Sequence, residues 1–267
     1  MRLKVIHTTQ YHYDKPVGYA LQQLRLTPKS RRHHEVIKWD LKVEGGKKET
    51  SFDDHNNNHV DVVSVVPGST EVTIHCEGEM ETEDTHGVIG SHGGFAPLWH
   101  FRRQTAMSKP GARMRSLMKG LSGDVQPDNL DWLHALSSAI LTSVEYEIGM
   151  THAETTAEQA LEHGYGVCQD HAHIFVGAAR HLGFPARYVS GYLMMNDRVD
   201  QDATHAWAEA HVDGIGWVGF DISNGISPDA RYVRVATGLD YSECAPVRGL
   251  RVGDSAERMV VSVQVQQ

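Results

Sequence analysis

The chain has 267 residues, 40% hydrophobic and 22% charged, and a net charge of −9 with histidine neutral. That make-up fits one large globular domain or two ordinary ones and excludes disordered and collagen-like classes. No run approaches the roughly 18–20 apolar residues of a membrane helix, and the negative charge, relieved only around Lys29, Arg31 and Arg32, argues against a nucleic-acid backbone as partner.

The opening stretch places Leu3, Val5, His7, Thr9, Tyr11 and Tyr13 at alternate positions, the period of one strand face. It offers no continuous apolar segment of the kind a signal peptide needs, so a cytoplasmic protein is expected. Strand-like runs follow at 21–26, 36–43, 59–66 and 71–79, separated by polar turns at 44–46 and 53–58. Short strands at this spacing predict a small β-sandwich. Residues 85–94 are rich in Gly and His and read as loop, without the Lys-Ser or Lys-Thr of a phosphate-binding turn.

Helical periodicity begins beyond this point, at 112–121 and 130–146. Thr155 and Glu158 form a capping-box pattern that opens a third helix. A fourth spans 167–182 and stops at Gly183 and Pro185. Strand patterns return at 186–194, 205–212, 217–222, 232–236 and 259–265. Helices followed by strands predict an α+β protein with segregated elements. The expected division is a β-rich region over 1–84, a connecting segment with a helix over 85–125, and a second domain over 126–267.

Three cysteines, at 76, 168 and 244, share no short metal-ligand spacing and cannot build a disulfide framework. Eighteen histidines make the charge sensitive to pH, and protonating all of them would carry it from −9 to +9. Those at 7, 12, 33, 34, 55, 59, 75, 86, 92 and 100 show no ligand spacing and read as surface residues.

The run Gly164-Tyr-Gly-Val-Cys168-Gln-Asp170 delivers a cysteine to the first turn of the fourth helix. Unpaired backbone N–H groups and the positive end of the helix dipole favour a thiolate there. Cys168 also heads an apolar stripe through Ala172, Phe175, Ala179 and Leu182. A free cysteine is more often a small buried hydrophobe, so a base and its orienting partner are needed before chemistry is assigned. His205 opens the strand 205–212, and Asp221 ends the next one. A two-residue Asp213-Gly214 loop would pair His205 with Ile222. A three-residue loop over 212–214 would set His205 opposite Asp221, within reach of an imidazole–carboxylate bond. Either residue alone reads as structural; all three in these settings are harder to attribute to chance.

Together, Thr-Thr-Ala-Glu-Gln-Ala-Leu at 155–161, Gly-Val-Cys-Gln-Asp-x-Ala-His at 166–173, Pro-Ala-Arg-Tyr-Val-Ser-Gly-Tyr at 185–192, His-Ala-Trp at 205–207, Gly-Trp-Val-Gly-Phe-Asp at 216–221 and Asp-Tyr-Ser at 240–242 resemble the transglutaminase-like superfamily. The match lies with its bacterial cysteine-protease branch, and the first eighty or so residues resemble the β-rich region that accompanies it. The resemblance implies a papain-like core, helices packed on an antiparallel sheet, with Cys168 as nucleophile, His205 as base and Asp221 as orienter. Two positions depart from the branch: His171 stands where an aromatic or apolar residue is usual, and Ile222-Ser223-Asn224 replaces Pro-Thr-Asn.

Tyr165, Gln169 and Trp207 flank these residues and are expected to line the substrate site or supply oxyanion donors. Trp207, like Trp217, is most simply core, and Tyr146 is a weaker candidate for the cleft. A metal site at Cys168, Asp170, His171, His173 and His163 is disfavoured, because His171 and His173 point about 200° apart on a helix. The expected activity is acyl transfer through a cysteine thioester on a peptide or protein substrate, without cofactor, nucleic acid or membrane. Hydrolysis is favoured over transfer to an amine. A non-catalytic binding member of the fold is the opposing reading, and a homo-oligomer is left open.

Overall fold

A computed structural model describes residues 1–121 and 129–267. The chain begins with β1 (Arg2–Tyr13), β2 (Tyr19–Leu24), β3 (His34–Glu44), β4 (Gly46–Asp53), β5 (His59–Val65) and β6 (Glu71–Thr82). β7 (Val88–Gly90), α1 (Ala112–Lys119), α2 (Leu130–Ser143), β8 (Glu145–Tyr146), α3 (Ala157–His163), β9 (Tyr165–Gly166) and α4 (Cys168–His181) follow. Then come β10 (Ala186–Leu193), β11 (Asp200–Gln201), β12 (His205–Val212), β13 (Gly216–Phe220), β14 (Tyr232–Gly238), α5 (Tyr241–Cys244), β15 (Val247–Val252) and β16 (Glu257–Gln266).

The first six strands divide between two antiparallel sheets, ordered β11-β16-β1-β6-β3 and β15-β2-β5-β4. Tyr11, Ile74 and Cys76 of one meet Leu24, Val63 and Val65 of the other in a shared core, a β-sandwich. The alternation read in β1 is that of the fold: all six alternate residues are buried. β4 carries no such signal because nearly all of it is exposed; it is a charged edge strand held by its pairing with β5.

The C-terminal strands return to the first sheets. β15 pairs with β2 and β16 with β1, so the last twenty or so residues lie in the sandwich sheets. Sheet pairing is non-local, and the short amphipathic patterns of β15 and β16 name no partner. The boundary expected at 125–126 falls outside the described residues. The sandwich also shares a core with the second region, where Leu3, Val5, Met80, Val263 and Val265 pack on Tyr192, Val233 and Val235.

The second region is an antiparallel sheet, β14-β10-β12-β13-β7, with α4 packed across it. β7 arises from the Gly-rich stretch read as loop; three residues are too short for a periodic signal. α4 is buried on every side from Asp170 to Arg180, so it is a central helix and not the one-faced helix its stripe suggested. Its close packing needs Gly177, where a Cβ would come within 2.0 Å of the Ser108 carbonyl oxygen. α3 starts one residue later than expected. Thr156 is its cap and Gln159 completes the reciprocal box. Glu158 is thereby free to accept the backbone N–H groups of Gly111, Arg113 and Met114, capping α1, whose own cap residue has no side chain.

Candidate active site

α3 ends on Gly164, whose φ of +78° suits glycine. Two residues later, Gly166 leaves room for Asp170; a Cβ there would lie 2.8 Å from the Asp170 Cβ. The Asp170 carboxylate accepts the Val167 N–H at 2.8 Å and the Thr151 hydroxyl at 2.7 Å, which tightens the helix start. Cys168 is the first residue of α4, where backbone N–H groups lack intrahelical acceptors. It is the one half-buried cysteine of the three and rests on Ala172, Tyr188, Ala206 and Tyr241. Cys76 and Cys244 are buried, and burial pushes the Cys76 thiol up to about 12 and that of Cys244 well above its usual range.

His205 begins β12. Its Nε2–H donates to Asp221 Oδ2 at 2.6 Å, which leaves the other ring nitrogen to interact with the Cys168 thiol. Burial disfavours the imidazolium, but the bonded Asp221 carboxylate and the sulfur outweigh it and raise His205 to about 10. Asp221 is fully buried, a cost met by the charge of His205 and by bonds from His205, Tyr232 and Asn224, which hold it below the usual carboxylate range.

The hairpin that brings the pair together has neither of the two expected registers. Val212 pairs with Gly216 and Ala208 with Phe220, because Gly214 and Gly216 both take positive φ and lengthen the turn to Asp213–Ile215. The next step along the ladder makes Asp221 level with Trp207, so His205 and Asp221 are diagonal neighbours on one face. They meet because Asp221 lies past the end of β13, in a turn closed by a bridge to Ile226. The parity of the strands, not the loop count, keeps them on the same side.

Several neighbours complete the site. The Tyr232 hydroxyl donates to Asp221 Oδ2 at 2.6 Å, and Asn224 donates its side-chain N–H to the same oxygen at 2.7 Å. Sequence reasoning missed both; the Asn224 turn after Asp221 held the only legible hint. Trp207 is buried and stacks on His205, with ring centroids 6.2 Å apart. Gly191 makes room for that indole, since a Cβ there would meet it at 2.8 Å. Tyr146 is half-exposed, and its hydroxyl is pushed up to about 12 by burial and by the charges of Cys168 and Asp221, which puts it at the rim of the site.

Tyr165 stacks on His163, and Gln169 donates its side-chain N–H to the Ala153 carbonyl at 3.1 Å. Neither is shown touching Cys168, His205 or Asp221. His171 is fully buried: its Nε2–H donates to the Val144 carbonyl at 3.0 Å, and its Nδ1 accepts the Ser223 hydroxyl at 2.8 Å. The two departures from the family pattern therefore touch, and together they tie α4 to the turn that carries Asp221. His173 turns to the backbone N–H of Tyr241. Among the described residues no group of three or more His, Cys, Asp or Glu is placed to hold a metal. His7 and His34 are buried, against the surface expected of them. His7 bonds Tyr192 and Thr9, and His34 accepts the Arg234 backbone N–H.

Residues 115–222 match the family described as transglutaminase-like superfamily, and residues 3–81 match the bacterial transglutaminase-like N-terminal region. An uncharacterized protein of Mycobacterium leprae is 26% identical over 99% of this chain and 98% of its own length. Another from Mycobacterium tuberculosis is 27% identical over 99% of this chain and 91% of its own. Among solved structures, a candidate cysteine protease from Cytophaga hutchinsonii superposes with a TM-score of 0.76 at 19% identity. That alignment covers 100% of this chain and 91% of the other, a likeness of fold. The chain thus carries a transglutaminase-like core over residues 115–222, set beside a bacterial transglutaminase-like N-terminal region over residues 3–81.

Proposed function

We propose that the protein is a thiol-dependent acyl-transfer enzyme that hydrolyses peptide or carboxamide bonds. The observation that carries this reading is the position of His205, bonded to a buried carboxylate and interacting with Cys168. In this scheme the Cys168 Sγ, its proton held by His205, adds to the carbonyl carbon. The backbone N–H groups at the start of α4 face the developing oxyanion. His205 returns the proton to the leaving nitrogen, and the thioester remains. Water, deprotonated by His205, then attacks the thioester carbonyl and releases the acid with the thiol. Asp221 keeps the imidazole in the tautomer whose Nε2 carries hydrogen, with Tyr232 and Asn224 holding Asp221 in turn.

Two measurements test it. Alkylation at mildly acidic pH, mapped by peptide, is expected to label Cys168 rapidly and to slow markedly there in His205→Ala. Labelling of Cys168 at the same rate in both proteins overturns the reading. Incubation of peptide and glutamine-amide libraries with and without a primary amine is then scored for ammonia, free acid and amine adduct. Free acid that persists with excess amine supports hydrolysis; quantitative amine incorporation makes the enzyme a transglutaminase instead.

A further inference from the structure

The link between β2 and β3 carries Arg31 to the side of the catalytic sheet that faces away from α4. With the segment after β6 and with Trp207, Glu209, Tyr232 and Arg234, it lines an open cleft. Glu209 lies at the bottom, fully buried, and its oxygens already accept Arg187 at 2.5 Å and Arg234 at 2.7 and 3.1 Å. Arg31, whose backbone pairs with His34, faces the same carboxylate, but its guanidinium makes no hydrogen bond or ion pair among the described residues, and its Nε is buried without a partner. Burial lowers its guanidinium to about 10 despite the pull of Glu209. The other carboxylates of the cleft are taken, Asp229 by Arg231 and Glu83 by His33. One carboxylate thus bonds two guanidiniums, and the half-buried third, on Arg31, is left without a bonded counter-charge, an arrangement that favours an anion.

The walls decide what kind of anion. Trp207, Tyr232, Val88 and Pro228 present mostly apolar surface, and a guanidinium fork matches a carboxylate. We propose that this cleft binds a small monocarboxylate with an apolar body, its carboxylate on Arg31 and its body against Trp207 and Tyr232. The occupant would sit directly behind the triad residues, since Trp207 stacks on His205 and Tyr232 holds Asp221. No atom of Cys168 enters the argument, so the site stands apart from the acyl-transfer reading.

The test titrates the full chain with benzoate, its neutral isostere benzamide, and inorganic phosphate, followed by tryptophan fluorescence and by thermal shift. Benzoate is expected to bind saturably and at least tenfold more tightly than either control. Arg31→Met should weaken benzoate at least tenfold. Cys168→Ala should bind benzoate as the parent does. Equal binding of benzamide, tighter binding of phosphate, or unchanged benzoate affinity in Arg31→Met would each overturn the proposal. The comparison of benzoate with benzamide needs no variant and stands even if Arg31→Met does not fold.

Discussion

The two faces of strand β12 are built to opposite plans. Ala206, Ala208 and Ala210 point toward α4, where small side chains let a wholly buried helix lie close against the sheet. His205, Trp207 and Glu209 point the other way and carry an ion pair, a stacked indole and a buried carboxylate shared by two arginines. One face therefore supplies packing and the other polar chemistry, from a single period-two pattern. The difference teaches that the strand's small residues are as necessary to the site as its large ones. They set the depth at which α4 presents Cys168, while the large row aims His205.

The comparison can be broken from either side, and the largest effect is expected at the thiol. Cys168→Ala should reduce turnover by roughly a thousandfold or more with the fold intact, measured by product formation alongside circular dichroism. On the polar face, Glu209→Gln leaves Arg187 and Arg234 buried without a counter-charge. It should cost about 3–5 kcal/mol in denaturant unfolding. On the packing face, Ala208→Leu forces α4 outward and should cost about 1–3 kcal/mol, with activity falling as Cys168 is displaced. Tyr232→Phe removes one donor to Asp221 and should lower the second-order rate by about tenfold, the equivalent of about 1.4 kcal/mol.

Folding stability also has a pH dependence with two limbs of opposite sign. Burial lowers His7 to about 4, His34 to about 3 and His173 to about 4, so each stays neutral in the folded chain while its unfolded counterpart protonates. Their contribution is complete above pH of about 6.5 and is lost as pH falls through the range from there to about 3. His205 is raised to about 10, so its contribution is complete below about 6.5 and is lost as pH rises through 10. Unfolding measured across pH should show that His205→Ala flattens the alkaline limb alone. The same burial means that charge reversal in acid needs a lower pH than eighteen freely titrating histidines would suggest.

Much of this was legible in the residues. β1 announced itself by strict alternation because one face is buried and the other is half-exposed. Cys168 stood out because the glycines before it and the helix after it are local features. β4 and β7 were not legible, since an exposed edge strand and a three-residue strand carry no periodic signal. Tyr232 and Arg31 were missed because nothing within several residues of either marks what it touches.

Sequence alone determined the α+β class, the sandwich ahead of the helices, and the identity of Cys168, His205 and Asp221 as the residues worth bringing together. These follow from periodicity, capping and motif, all of which act over a few residues. Only the tertiary structure decided the hairpin register, the return of β15 and β16 into the sandwich sheets, and the polar cluster behind the site. Each of those depends on contacts between residues far apart in the chain, where the energy is decided by which surfaces meet and not by local preference.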